Sequence, residues 1–290
     1  MTSNAEIETW KTWIGREEIS VDIVAPGPVE RLAAVLDREV PTTGAGHVMP
    51  PLSHWLLFLP STPQRELGPD GHPARGAFLP PVTLPRRMWA GSRIEFHRPL
   101  LAGAEVQRVS TITDVRERQG RSGPLVFVQV RHSVTDRDGP VITEHQEIVY
   151  RDAEQRSSPG NDVPAKSSGS SQKRTHWRRR VDPDGVLLFR FSALTFNGHR
   201  IHYDRSYAQD TEDYPGLVVH GPLQATLLLD LFTREHPACS VRSYTFSSRR
   251  PLFDDAPFDL CGVAEADGEI QLWIENHHGD VVMEATLNVE

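Results

Sequence analysis

Two stretches of the chain end alike. Gly139 to Tyr150 reads GPVITEHQEIVY, and Gly279 to Glu290 reads GDVVMEATLNVE. Both run Gly-x-Val, then Ile or Val, one residue and Glu, and both continue with the alternation of a strand. Upstream, EFHRPL closes on Arg98-Pro99-Leu100, and SRRPL closes on Arg250-Pro251-Leu252. Two matches in the same order at similar spacing point to a duplicated unit. That narrows the fold to two copies of one β-rich unit in tandem.

The strand content follows the same plan. After the first Arg-Pro-Leu, β-branched or aromatic residues recur at every second position over 105–115, 125–135 and 141–150, separated by RQGRSGP and DRDGP. After the second, the same holds over 258–265, 270–276 and 281–289, separated by ADGE and HHGD. Alternation broken by turn-forming sequence predicts an antiparallel meander in each half. A further strand is expected over 187–194. Helices are few: 29–36, preceded by Pro28; a short turn over 204–209 with Asp204 as its N-cap; and 222–234, PLQATLLLDLFTR. The last is apolar nearly all round, so it is expected to be buried.

Between the halves, residues 151–172 read RDAEQRSSPGNDVPAKSSGSSQ, rich in Ser, Pro, Gly and Asp and without aromatics. That composition predicts an exposed linker. The expected organisation is therefore an N-terminal unit over 1–150, a linker over 151–172 and a C-terminal unit over 173–290.

A chain of 290 residues, 38% hydrophobic and 24% charged, can bury a core without disulfides or a structural metal. A net charge of −8 argues against nucleic acid or an anionic membrane as the main partner. No apolar run approaches the ~20 residues of a membrane helix. The N-terminus lacks the pattern of a secretory signal. Cys239 and Cys261 form no CxxC pair, which suits a reducing, cytoplasmic setting.

The chemistry concentrates in FSALTFNGHRIHYDRSYAQD, Phe191 to Asp210, where Asn197, His199, His202 and Asp204 fall within eight positions. After a loop comes VVHGPLQATLLLDLF, which places His220 and Gly221 at the start of the buried helix. Imidazole is the side chain suited to moving protons near neutral pH. Free N–H groups at a helix start can hold a developing oxyanion. His199-x-x-His202 also allows a zinc reading. It has no HExxH and no third ligand at recognisable spacing, so no metal is expected. Arg86-Arg87 and Arg249-Arg250 flank strand starts and suit carboxylate or phosphate binding, or equally a charged sheet edge.

These motifs resemble the hydratase-2 (MaoC-like) family. Its signature, Ser/Thr-Gly-Asp-x-Asn-Pro-x-His followed by Val-x-His-Gly before a central helix, is matched by Thr195 to His202 and by Val219-His220-Gly221. SALTFNGHRIHYD and LPRRMWAGSRIEFHRPL are similar to the subgroup containing 3-methylfumaryl-CoA (mesaconyl-CoA) hydratases and mitochondrial-type 3-hydroxyacyl-thioester dehydratases. The resemblance implies an α+β double hot dog: two tandem units, each an antiparallel sheet wrapping a helix, the first degenerate and covering the substrate.

The resemblance implies His202 as general base and acid and Gly221 N–H (with His220 beside it) as the thioester-oxygen site; of the arginines, Arg249 or Arg250 is expected near the ligand ahead of Arg86 and Arg87, since CoA brings phosphates and the acyl group a carboxylate. The resemblance departs at Asn197, where relatives carry an aspartate, and at His199, where they carry Asn. Asn197 is expected to orient water or substrate, or else to cap the loop as Asn does in turns, with His199 either aiding the proton work or positioning His202. The expected reaction is reversible hydration of a short enoyl-CoA, mesaconyl-CoA or itaconyl-CoA in type, with CoA as part of the substrate and no other cofactor. A homodimer is compatible with such a chain. The alternatives are a fatty-acid-type 3-hydroxyacyl-thioester dehydratase, a non-catalytic acyl-thioester-binding module and a thioesterase. If the first half is only a cover, His54 is dispensable for catalysis.

Overall fold

The computed structural model describes residues 4–39, 44–120, 123–152, 175–265 and 268–290. Of the linker expected over 151–172, all but Arg151 and Asp152 lies outside them. The strands are β1 (Glu17–Ile23), β2 (Arg86–Phe96), β3 (Glu105–Gly120), β4 (Gly123–Asp136), β5 (Gly139–Arg151), β6 (Trp177–Val181), β7 (Val241–Ser248), β8 (Phe258–Ala264), β9 (Ile270–Glu275) and β10 (Val281–Val289). They form one antiparallel sheet in the order β1-β3-β4-β5-β2-β7-β10-β9-β8-β6. The order reads as two five-stranded halves meeting at β2 and β7, so the expected meanders are two matching parts of a single sheet.

The repeat is visible in the backbone. His97 and Arg98 N–H both donate to Val141 O, at 2.9 and 3.3 Å; Arg249 and Arg250 N–H both donate to Val282 O, at 2.8 and 3.2 Å. This equates Arg98 with Arg250, as the triplets suggested, but Val141 with Val282 rather than Val281. Both strands carry the same register shift, at Val141 and at Val282; the extra residue lies in the turn, where 276–280 join Glu275 to Val281 but only 136–139 join Thr135 to Pro140. In a strand, one residue of offset reverses the face a side chain points to. So Glu144, opposite Ile94, is buried, while Glu284, opposite Ser247, pairs with Arg249. The buried counterpart of Glu144 is Ala285.

Among the described residues, four α-helices accompany the sheet: α1 (Asn4–Lys11), α2 (Pro26–Val35), α3 (Gly185–Leu194) and α4 (Gly221–Glu235). Residues Leu223 through Phe232 of α4 are all buried, as its all-round apolar sequence predicts. It packs on β6, β8, β9, β10 and β2. Near its end Asp230 is buried and holds Arg179 at 2.7 Å, Arg234 at 2.9 Å and Arg38, which follows α2.

The strand expected over 187–194 is instead helix α3. Asp184 caps it by accepting the Leu187 N–H at 2.7 Å. Its buried residues are Leu188, Phe191 and Ser192, the spacing of a helix face. With Leu187, Phe189 and Leu194 also apolar, the segment satisfies either period. Asp184, three residues before Leu187, was the cue that separated them.

Candidate active site

Helix α3 delivers the chain into the polar elbow. Phe196 takes φ 49°, the left-handed region that non-glycine residues rarely adopt. The turn is closed by Asn197 N–H donating to Ser192 O at 2.8 Å. The Asn197 side chain folds back, its Oδ1 accepting the His199 N–H at 3.0 Å. That leaves its Nδ2, which can only donate. A 3₁₀ turn, Arg200–His202, then carries His202 inward. Asp204 ends the elbow as expected of a cap, accepting the Tyr207 N–H at 3.0 Å and pairing with Arg200 at 2.7 Å.

His202 is buried, and its Nδ1 lies 2.7 Å from Val218 O. A carbonyl only accepts, so Nδ1 carries the hydrogen, and a neutral ring keeps its lone pair on Nε2. Burial lowers the ring's pKa to about 4, with the nearby His72 acting the same way and the Val218 carbonyl opposing. The ring stacks on His220, centroids 3.7 Å apart. His220 is the N-cap of α4; its Nε2 meets Ser192 Oγ at 2.8 Å, and its Nδ1 is buried without a partner. Burial, then His202 and His199, hold His220 well below the ordinary imidazole range.

Gly221 opens α4, so no earlier turn of the helix can accept its N–H. The next residue, Pro222, has no N–H. A Cβ at 221 would meet its nearest protein atom, Trp89 O, at 3.7 Å. The protein therefore tolerates a side chain there, and any need for glycine comes from the ligand side.

His202, His199, Asn197, His220 and Gly221 line one cavity of about 380 Å³. Arg86, Arg87 and Arg250 line it too. Arg249 does not; it pairs with Glu284 at 2.7 Å. Arg250 is paired with Asp280 at 3.2 Å, and Arg86 with Glu212 at 3.2 Å while lying over Tyr214. Arg87, beside the Tyr150 hydroxyl, is the one of the four without a carboxylate partner among the described residues.

The same cavity is lined by Asp70 and His72, two residues that the sequence reading left aside. They lie in GPDGHP, where a Gly-rich turn between prolines presents an acid and an imidazole two positions apart. Asp70 Oδ2 is 3.0 Å from His72 Nδ1, and Oδ1 accepts the His72 N–H at 3.0 Å. Burial raises the Asp70 pKa, but the bonds from His72 outweigh it and leave the carboxyl well below its usual range. The His72 ring is 4.1 Å from that of His199, which stands 5.4 Å from and perpendicular to His202. Burial, then His72 and His202, lower His199 to about 2.

Asp70, His72 and His199 each bring a potential ligand atom within 4.8 Å of the others. This is not the His199-x-x-His202 pair of the rejected zinc reading. The donor types suit a divalent ion; in this arrangement His72 Nδ1 is engaged by Asp70, and the His72 and His199 rings pack 4.1 Å apart at a tilt of 42°.

A larger cavity, about 820 Å³, adjoins the first and shares Trp89, Asn197, His72 and Pro222 with it. It also contains Glu144, Arg108, His132 and His54. Glu144 accepts from Ser92 at 2.6 Å and from Trp55 at 3.0 Å, and meets His54 Nε2 at 3.0 Å. The proton-handling side chains of the elbow converge on the smaller cavity.

Against known proteins, the family model for hydroxyacyl-thioester dehydratase type 2 matches residues 52–254. The chain belongs to this family. The matched span holds the elbow, the start of α4 and the Asp70–His72 turn. The chain is 44% identical over 281 residues to the mesaconyl-C(4)-CoA hydratase of Chloroflexus aurantiacus, covering 97% of this chain and 98% of that one. It is 26% identical to the mitochondrial hydroxyacyl-thioester dehydratase type 2 of Schizosaccharomyces pombe, covering 90% and 93%. In fold it is similar to a MaoC-like dehydratase from Phytophthora capsici (TM-score 0.68, 13% identity, 100% and 99% covered). It is also similar to a Mycobacterium tuberculosis protein with a double hot-dog fold (TM-score 0.54, 14% identity, 95% and 96% covered). The double hot dog implied by the sequence is thus the fold of this family member.

Proposed function

We propose that this chain reversibly hydrates the double bond of a short enoyl-CoA, with a branched dicarboxylic acyl group of the mesaconyl-C4 type as its leading substrate. The reading rests on one arrangement: a cavity that holds both a neutral imidazole with a bare Nε2, His202, and the unsatisfied first turn of a helix at Gly221. The 44% identity to a mesaconyl-C(4)-CoA hydratase supports the acyl group.

In this mechanism the thioester oxygen accepts from Gly221 N–H, where the helix dipole favours the negative charge that gathers as the enolate forms. Asn197 Nδ2 donates to the attacking water and fixes its position. His202 Nε2 takes a proton from that water as oxygen bonds to the β-carbon. Hydration neither oxidises nor reduces the substrate, so no redox cofactor is required, and CoA arrives with the substrate. Arg87 takes the free carboxylate of the acyl group or a CoA phosphate.

The neighbouring cavity could hold a longer acyl chain. Its lining is mainly apolar, with Trp55, Phe58, Leu59 and Phe196 beside the already bonded Glu144, so the cavity does not itself exclude a fatty tail, and the 44% identity to a mesaconyl-C(4)-CoA hydratase is what favours the dicarboxylate. The test is to incubate the protein with mesaconyl-C4-CoA, itaconyl-CoA and crotonyl-CoA and follow loss of enoyl absorbance. Faster turnover of mesaconyl-C4-CoA is expected. No turnover by folded protein would leave a binding module, and release of free CoA without hydration would make it a thioesterase.

A further inference from the structure

Hydration needs two proton transfers: one from the water, one to the α-carbon. The group beside the water is an amide, Asn197, which neither gains nor gives up a proton at ordinary pH. Its Oδ1 is already engaged by the His199 N–H. His202 can serve the water, so a second group must serve the carbon.

We propose that His72, backed by Asp70, is that second acid–base group. The inference rests on the hydration reading. Other titratable side chains line the cavity: Glu212 is held by Arg86 and the Tyr207 hydroxyl, and Tyr214 lies under the Arg86 guanidinium. His220 has Nε2 committed to Ser192 and its ring covered by His202. His199 has no carboxylate bonded to it among the described residues and packs between two other imidazoles. Asp70 has both oxygens on His72. Arg87 does not give up its proton. His72 alone has a carboxylate on Nδ1, which orients the ring and leaves Nε2 for the substrate; burial lowers its pKa, and the Asp70 bond and charge partly offset that in favour of the imidazolium.

The turn carrying this pair is built onto the elbow. Arg200 N–H donates to Asp70 O at 3.0 Å, and its guanidinium donates to Pro69 O at 3.1 Å. Gly71, at φ +85°, lies so close to Gly198 that a Cβ on it would be 1.9 Å from Gly198 O. The first half of the chain thus delivers a carboxylate-backed imidazole into the site of the second half.

The steps balance. His202 Nε2 removes a proton from water, and the remaining hydroxyl oxygen bonds to the β-carbon. The electron pair of the double bond moves to the α-carbon, which takes the Nε2 proton of the His72 imidazolium. His202 is left protonated and His72 neutral. A proton returned from the first to the second, through solvent or through His199 between them, restores the starting state. Dehydration runs the same steps backwards.

The experiment uses the full chain and whichever enoyl-CoA the unaltered protein hydrates. His72→Gln is expected to lower kcat about 100-fold or more with KM nearly unchanged. Asp70→Asn is expected to lower kcat less, again without a matching rise in KM. His72→Gly should regain activity when imidazole is added, which a structural role would not produce. The proposal is overturned if His72→Gln keeps most of its kcat, or if a folded His72→Gly shows no rescue. It is equally overturned if chelation abolishes activity and zinc restores it, since Asp70, His72 and His199 would then be metal ligands. If the unaltered protein hydrates none of the substrates, the hydration reading itself fails.

Discussion

The imidazole of His202 lies against that of His220, centroids 3.7 Å and planes 18° apart. The first ring donates to Val218 O and the second meets Ser192 Oγ, so each is fixed by a different element. Two stacked, buried rings disfavour charge on either, which keeps His202 a base. His202→Asn retains a donor for Val218 O but has no basic nitrogen. It is expected to stay folded and to lose about 10²–10⁴-fold in kcat, measured by enoyl absorbance.

The same burial sets a pH signature. His202 must be neutral to accept a proton, and its pKa is lowered from 6.5 to about 4. The acid limb of kcat/KM should therefore lie well below 6.5. The unfolded chain binds this proton at about 6.5 and the folded chain only near 4. Stability is thus complete above 6.5 and declines as pH falls from there towards 4. An acid limb at the ordinary imidazole value would contradict the assignment.

His54 tests the division of labour between the halves. Its Nε2 bonds the buried Glu144 in the larger cavity, which neither His199 nor His202 lines. His54→Ala should keep most of its kcat and lose about 2 kcal/mol of stability, measured by denaturant unfolding, because a charged buried acceptor loses a partner. Despite burial, which raises it, Glu144 is lowered from 4.5 to about 2 by the His54 bond and the charges of His54 and His132. A depressed carboxylate stabilises above the unfolded pKa. That contribution, on the order of 3 kcal/mol, should vanish as pH falls from 4.5 to 2.

Arg87 and Arg249 should separate cleanly. Arg87 lines the site cavity without a carboxylate partner among the described residues, whereas Arg249 is held by Glu284 at the surface. Arg87→Gln is expected to lower kcat/KM for mesaconyl-C4-CoA by about 10–100-fold, the worth of a charge-assisted bond. Arg249→Gln should change it little. An equal loss with crotonyl-CoA would assign Arg87 to CoA rather than to the acyl carboxylate.

Gly71 is the contact that joins the two halves at the site. Gly71→Ala places a Cβ into the Gly198 carbonyl and forces φ +85° on an alanine. A loss of at least about 2 kcal/mol in stability and a marked fall in kcat are expected, by unfolding and by rate. A fully active, stable variant would show that the turn docks differently.

Much of this molecule was legible residue by residue. Alternation placed the later strands of both meanders, and the all-apolar run placed α4. The elbow's Asn197, His199 and His202, and Gly221 after them, do share a cavity. These are local signals, set by the period of a strand or helix and by cap chemistry near in sequence. Where the local signal served two periods, as over 187–194, it misled, and only the Asp184 cap distinguished them.

Tertiary structure decided the rest. The Glu of the two matching endings falls on opposite faces because the turn before β10 is one residue longer than the turn before β5, which moves the matching Glu by one place along its strand. Of four candidate arginines, ion pairing left Arg87 as the one without a carboxylate. The Asp70–His72 turn, more than a hundred residues from the elbow, reaches the site because β2 and β7 join the halves into one sheet. Sequence by itself determined which elements form and which elbow carries His202, since those depend on neighbours along the chain. Which groups meet at that elbow depends on neighbours in space, and no spacing in the sequence encodes them.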